Sequence, residues 1–119
     1  MTSDVLELAE QALVALDAGR LVSLYADEFV FVDTSSGEYI TDRKQLKRYF
    51  DDLFALPAVR FSNVSFFRCG ERGAGQWTWS GKSLKTGQDY AIEGASLFVL
   101  GEDRIIEERI FYDPSSAVE

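Results

Sequence analysis

Histidine is absent from the 119 residues of the chain. A Ser-His-Asp triad, a Cys-His pair and a histidine-ligated zinc site are excluded with it. Cysteine is nearly absent as well. The single Cys69 can neither close an intrachain disulfide nor build a thiolate cage. No imidazole stands by to activate it as a nucleophile. One lone cysteine fits a reducing, cytoplasmic setting. Positive charge is scarce: 12 Lys and Arg face 20 Asp and Glu, for a net charge of −8. That field repels phosphate backbones and argues against nucleic acid as a partner. Its plainest use is solubility. No stretch approaches the roughly 20 apolar residues of a membrane span, so no membrane partner is expected. The acidic, amphipathic start MTSDVLELAE is unlike a signal peptide. No GxGxxG, P-loop or EF-hand-like spacing occurs, and neither a cofactor nor a metal is expected. Acid–base chemistry is left to Asp, Glu, Tyr, Lys and Cys69.

What remains is ample for a core. Hydrophobic residues make up 46% of the chain and aromatics 13%. The length predicts one domain, residues 1–119. Helical spacing of Val5, Leu8, Ala9, Ala12 and Leu16 predicts a helix over 3–18. Asp4 and Glu7 suit its capping box, and Gly19 its stop. A short second helix follows over 20–26, then a strand over 28–33 and a loop, TSSGEYI. Thr41 is placed to cap a third helix over 42–54, whose apolar stripe is Leu46, Tyr49, Phe50, Leu53 and Phe54. Pro57 ends it. Four strand-like runs complete the chain, at 59–69, 76–84, 90–100 and 105–112. ERGAG, KTGQ and GEDR turn between them, DPSS stops the last, and the final residues are expected to fray. Helices gathered before an antiparallel meander predict an α+β domain, its sheet curled around the helices.

Alternation on the last two runs assigns Ile92, Phe98 and Phe111 to one face and Leu97, Ile110 and Tyr112 to the other. One domain buries only one face, so a homodimer through the outer face is expected.

Several residues invite chemistry. In YADEFVFVDTSSG, Phe29 and Phe31 face one way, and the same face then ends in Asp33. Asp33 either opens the turn as a backbone cap or stands as the reactive group of a pocket. A cap would take backbone N–H donors, whereas a pocket base would have few. Glu93, counted with Ala91 and Leu97, is expected inward, either as a second acid or paired with Arg109 or Lys82. Glu108 shares a face with Ile110 and Tyr112, and a bulge would turn it outward. Trp77 and Trp79 share a face, as core, interface or the wall of a pocket. Tyr25, Phe50 and Tyr112 have the same choice, and the tyrosines add a hydroxyl.

Three stretches, DAGRLVSLYADEFVFVD, TDRKQLKRYFDDLF and GEDRIIEERIFYD, stand in an order and spacing that resemble a known group. The chain is similar to the SnoaL-like polyketide cyclases and ketosteroid isomerases of the nuclear-transport-factor-two-like superfamily. The resemblance implies a cone: a strongly curved antiparallel sheet wrapped around three helices of the N-terminal half and enclosing a pocket, commonly in a homodimer. It puts Asp33 at the general base of the isomerases. Glu93 or Tyr112 would then supply the complementary proton or hydrogen bond. Tyr25, Phe31, Phe50, Trp77, Trp79 and Ile110 would contact a small apolar ligand. The same resemblance sets Ala12 and Ala95 where isomerases hold their enolate oxygen, and Ile110 where cyclases carry an aspartate. Methyl and sec-butyl groups donate no hydrogen bond. Two functions follow: a cofactor-independent isomerase, cyclase or dehydratase working through Asp33, or a non-catalytic module that binds a ligand or dimerises.

Overall fold

A computed structural model describes residues 4–115. Asp4 is the first cap: its Oδ2 accepts the Leu6 N–H at 2.9 Å. Helix α1, Val5–Val14, follows and buries Val5, Leu6, Ala9, Ala12 and Leu13. It ends earlier than its apolar pattern predicts. Leu16 takes a left-handed backbone (φ 56°), and the Asp17 N–H returns to the Ala12 carbonyl at 2.9 Å. Asp17 then caps α2, Ala18–Ser23, so Gly19 lies inside the second helix rather than ending the first. The expected start at Ser3 and the fraying after Ser115 lie outside the described residues.

Strand β1, Tyr25–Asp33, turns through Thr34–Gly37 into β2, Glu38–Ile40, which pairs with it antiparallel. The segment expected as loop is therefore partly strand. Gly37 takes φ 81°, a value glycine reaches without strain. Helix α3, Arg43–Phe54, is capped by Asp42 rather than Thr41, through Oδ2 to the Gln45 N–H at 3.0 Å. Its first turn is pinned by Arg43. That guanidinium donates to the carbonyls of Val22 at 2.8 Å and Tyr25 at 3.0 Å. The strut docks α3 on the α2–β1 junction, with Phe50 stacked edge-on to Phe31.

Strands β3 (Arg60–Cys69), β4 (Arg72–Lys82), β5 (Asp89–Gly101) and β6 (Arg104–Tyr112) form the predicted meander. β6 then lies beside β1 in parallel, and the sheet order is β2-β1-β6-β5-β4-β3. The sheet is thus mixed, which corrects the wholly antiparallel expectation. A parallel pair needs a long crossover, and α3 with three strands of meander supplies one. Register breaks at Tyr25/Val30 against β6 and at Ser62/Ser65 against β4 bend the sheet around the helices. At the second break Asn63 has φ 51°, and Glu10 of α1 reaches over to accept the Phe66 N–H at 2.7 Å.

Register corrects the assignment of faces. Ser96 stands opposite Ile110, Gly94 opposite Tyr112 and Phe98 opposite Glu108. The inner face therefore holds Ile92, Phe98, Ile110 and Tyr112 together, and Leu97 and Phe111 lie outside. On β5 the even-numbered residues point inward. Gly94 is one of them because nothing larger fits. A Cβ there would stand 2.2 Å from the Trp77 ring, which lies across the strand. No helix among the described residues is long and apolar enough to cross a membrane.

Candidate ligand pocket

Asp33 does both things its sequence context suggests. It ends β1 and is buried. Its Oδ1 accepts the N–H groups of Ser35 at 3.0 Å and Ser36 at 3.1 Å, which makes it the cap of the turn. Its Oδ2 accepts two hydroxyls, from Tyr49 on α3 and Tyr112 on β6, each at 2.7 Å. Four donors satisfy this carboxylate, against the few expected of a pocket base. Burial first, and the Asp33 carboxylate second, raise the pKa of both tyrosines well above the usual phenol value. Each keeps its proton and donates it in a hydrogen bond to Asp33. Toward a ligand the two hydroxyls offer lone pairs.

A cavity of about 60 Å³ lies between the helices and the inner sheet face. Phe31, Phe50, Trp77, Trp79, Ile110 and Tyr112 line it, all of them expected ligand contacts or site residues. The tyrosines of the Asp33 clasp and Leu53 form its partition from an outer cleft that Asp33 itself borders. A water needs roughly 10–15 Å³ of such space, and drug-sized ligands need several hundred. The cavity is small beside the pockets of drug-sized ligands.

The carboxyl group in the wall of this cavity is that of Glu108. It sits on β6 opposite Phe31 of β1 and is 8% exposed. The Tyr25 hydroxyl donates to its Oε1. Ser96 also hydrogen-bonds it, and Ser96 Oγ in turn accepts from Trp77 Nε1 at 3.0 Å. Burial pushes the Glu108 carboxyl up to about 7, although the bonds from Tyr25 and Ser96 pull the other way. Tyr25 is fully buried, and burial followed by the Glu108 charge pushes its hydroxyl far up. Tyr25 acts beneath the cavity, through Glu108, rather than on its surface.

Glu93 is not part of this arrangement. It stands on the outer face beside Thr78, exposed. The cations considered for it pair elsewhere, Arg109 with Glu107 at 2.9 Å and Lys82 with Asp89 at 2.8 Å. Ala95 is likewise outside, and its inward neighbour Ser96 occupies the pocket wall. Glu108 and Tyr49 are the site residues that sequence reasoning undervalued. The shared face of Glu108, Ile110 and Tyr112 was the available signal. The bulge invoked to turn Glu108 away lies instead at Val99/Leu100, beyond it. Among the described residues, no group of three or more His, Cys, Asp or Glu side chains could hold a metal.

A curved mixed sheet folded over three helices, with a pocket between them, defines the nuclear-transport-factor-two-like cone. The SnoaL-like domain profile matches residues 5–108, and the chain belongs to that family. Solved structures agree in fold. A protein with a ketosteroid isomerase-like fold from Catenulispora acidiphila, in complex with trimethylamine, is 19% identical, with 98% of this chain and 91% of that chain covered and a TM-score of 0.83. A candidate polyketide cyclase from Pseudomonas putida is 16% identical over 97% and 96%, with a TM-score of 0.80. A protein of the same cone fold from Cytophaga hutchinsonii is 12% identical over 94% and 89%, with a TM-score of 0.72. At these identities the likeness carries the fold alone. A comparison with curated protein sequences finds no match.

Proposed function

We propose that this protein binds a small molecule in its apolar pocket and moves a proton to or from it without a cofactor, with Glu108 rather than Asp33 as the acid–base group. One observation carries the reading: a carboxyl in the wall of an apolar cavity, held by Tyr25 and Ser96 and raised to about 7. A group whose midpoint lies near working pH serves as acid and as base. Asp33 has all its lone-pair directions engaged, which suits a framing role for Tyr49 and Tyr112. Isomerisation, cyclisation and dehydration each need such a shuttle. The trimethylamine bound by the Catenulispora protein is of the size this cavity admits.

Proton transfer is tested without knowing the substrate by deuterium exchange into acetone in D₂O. The wild-type protein should accelerate exchange with a midpoint near the Glu108 value of 7. Glu108→Gln should abolish the acceleration, and Asp33→Asn should keep part of it. An acceleration that survives in Glu108→Gln would overturn the assignment.

We also infer a homodimer through the outer sheet face. Phe67, Leu97 and Phe111 are 65%, 50% and 42% exposed. Register puts Phe67, Ala74 and Leu97 in one row across β3, β4 and β5, with Ala95 and Phe111 beside it. Such a patch on a sheet face favours a partner. The exposed thiol of Cys69 accords with a cytoplasmic, reducing setting.

A further inference from the structure

The pocket combines aromatic faces and a carboxylate with no cation. Trp77, Trp79 and Tyr112 meet at one corner of it, with ring centroids 5.9 Å apart for Trp77–Tyr112 and 5.8 Å for Trp79–Tyr112. Phe61 and Tyr49 add further ring surface, and neither lysine nor arginine lines the cavity. The cleft outside holds Asp33, Glu38 and Asp52 against Arg48. Aromatic faces attract cations through their quadrupole, most strongly where water is excluded. A buried carboxylate gains from a counter-charge that the protein here does not provide. An acidic cleft on the far side of the tyrosine partition concentrates cations near the pocket and disfavours anions.

We propose that the pocket recognises a small alkylammonium cation, cupped by the rings of Trp77, Trp79 and Tyr112 and neutralised by the Glu108 carboxylate. The proposal rests on Glu108 being the acid–base group of the pocket. The cavity volume of about 60 Å³ limits the ligand to a compact, branched head group. Proton balance differs between two kinds of ligand. A neutral amine takes the proton of Glu108: the carboxyl O–H breaks, an N–H forms, and an ammonium–carboxylate pair remains. A quaternary ammonium has no lone pair, so it binds ionised Glu108 and expels the proton to solvent.

Other groups facing the pocket do not titrate near neutrality. Tyr49 on α3 and Tyr112 on β6 are raised, as is Tyr25 on β1 beneath the wall. α1 and α2 present only Ala9, Leu13 and Leu21, while β3, β4 and β5 add aromatic side chains and Ser96. Asp33 lies behind its two tyrosines.

The test is a charge series of similar shape on the intact protein: tetramethylammonium, tert-butanol and pivalate, measured by calorimetry. With Glu108 near 7, tetramethylammonium affinity should rise about tenfold between roughly pH 6 and pH 8, following ionisation. tert-Butanol should bind more weakly at roughly pH 8 and show no such rise, and pivalate should bind least. Glu108→Gln should remove the pH dependence. tert-Butanol or pivalate binding as tightly as tetramethylammonium would overturn the proposal, even if Glu108→Gln fails to fold. Carbon-13 titration of Glu108 in the same samples separates the two ideas. A midpoint near 7 without cation preference contradicts ammonium recognition and leaves the proton-transfer reading standing. An ordinary glutamate midpoint contradicts that reading itself. A cation preference that Glu108→Gln leaves intact contradicts the part given to Glu108.

Discussion

The Tyr25 hydroxyl donates to Glu108 Oε1 across the parallel β1–β6 ladder, and both side chains are buried. Hydrogen bonds to an ionised group contribute roughly 1.5–3 kcal/mol. Tyr25→Phe removes a donor that favours the charged carboxyl. The Glu108 midpoint should rise further, and the variant should be less stable above that midpoint by about this amount. Carboxyl NMR with thermal melting checks both. An unmoved midpoint would mean that Tyr25 does not act on Glu108.

Glu108 also sets a sign for stability against pH. Its folded value is raised from 4.5 to about 7, so between these values the folded state holds more protons than the unfolded. Stability from this group therefore falls as pH rises through that window, by about 3 kcal/mol if the full shift is realised. Glu108→Gln should remove that slope and melt higher than wild type above the window. The difference between wild-type and variant melting curves, taken across pH, isolates the effect from the other carboxylates. A difference that is flat with pH would contradict it.

Asp33→Asn should weaken the fold. An amide presents one acceptor and one donor where the carboxylate meets two N–H groups on one oxygen and two hydroxyls on the other. Whichever way it turns, N–H faces donors, at a cost of about 1–3 kcal/mol. Chemical denaturation gives the number. A variant as stable as wild type would show that the clasp does not hold the turn and the two tyrosines.

Much of this architecture is legible in the chain. The helical stripe of Leu46, Phe50 and Leu53, the four strand runs and the turns at KTGQ and GEDR follow from local pattern. ERGAG does not turn as expected: the chain turns at Gly70 and Glu71, and Arg72–Gly75 already belong to β4. The resemblance carried by YADEFVFVD and GEDRIIEERIFYD supplied the cone. Long-range register was not legible. Alternation counted from Ala95, the position the resemblance sets in the pocket, placed Glu93 inside and Ile92 apart from Ile110, although Tyr90, Ile92, Phe98 and Leu100 are the buried apolar residues of β5. Pairing with β6 reverses that. The parallel β1–β6 contact joins segments far apart in sequence, and it alone brings Tyr25 to Glu108. Asp33 was read as cap or pocket group because a single residue was asked for a single role. Its two oxygens divide the work.

The outer face gives a prediction independent of the pocket. Leu97→Glu puts a charge in the middle of the Phe67, Leu97 and Phe111 patch. Light scattering should find wild type as a dimer and the variant shifted to monomer, with the Glu108 titration unchanged. A wild-type monomer at micromolar concentration would remove the dimer.

The central claim concerns the protonation of one side chain. Carbon-13 labelling of glutamate carboxyls, with Glu108 assigned by its loss in Glu108→Gln, follows that group directly through a pH titration. The account predicts a midpoint of about 7, shifted by a ligand that fills the pocket. A midpoint at the ordinary value of 4.5, indifferent to ligand, would contradict it.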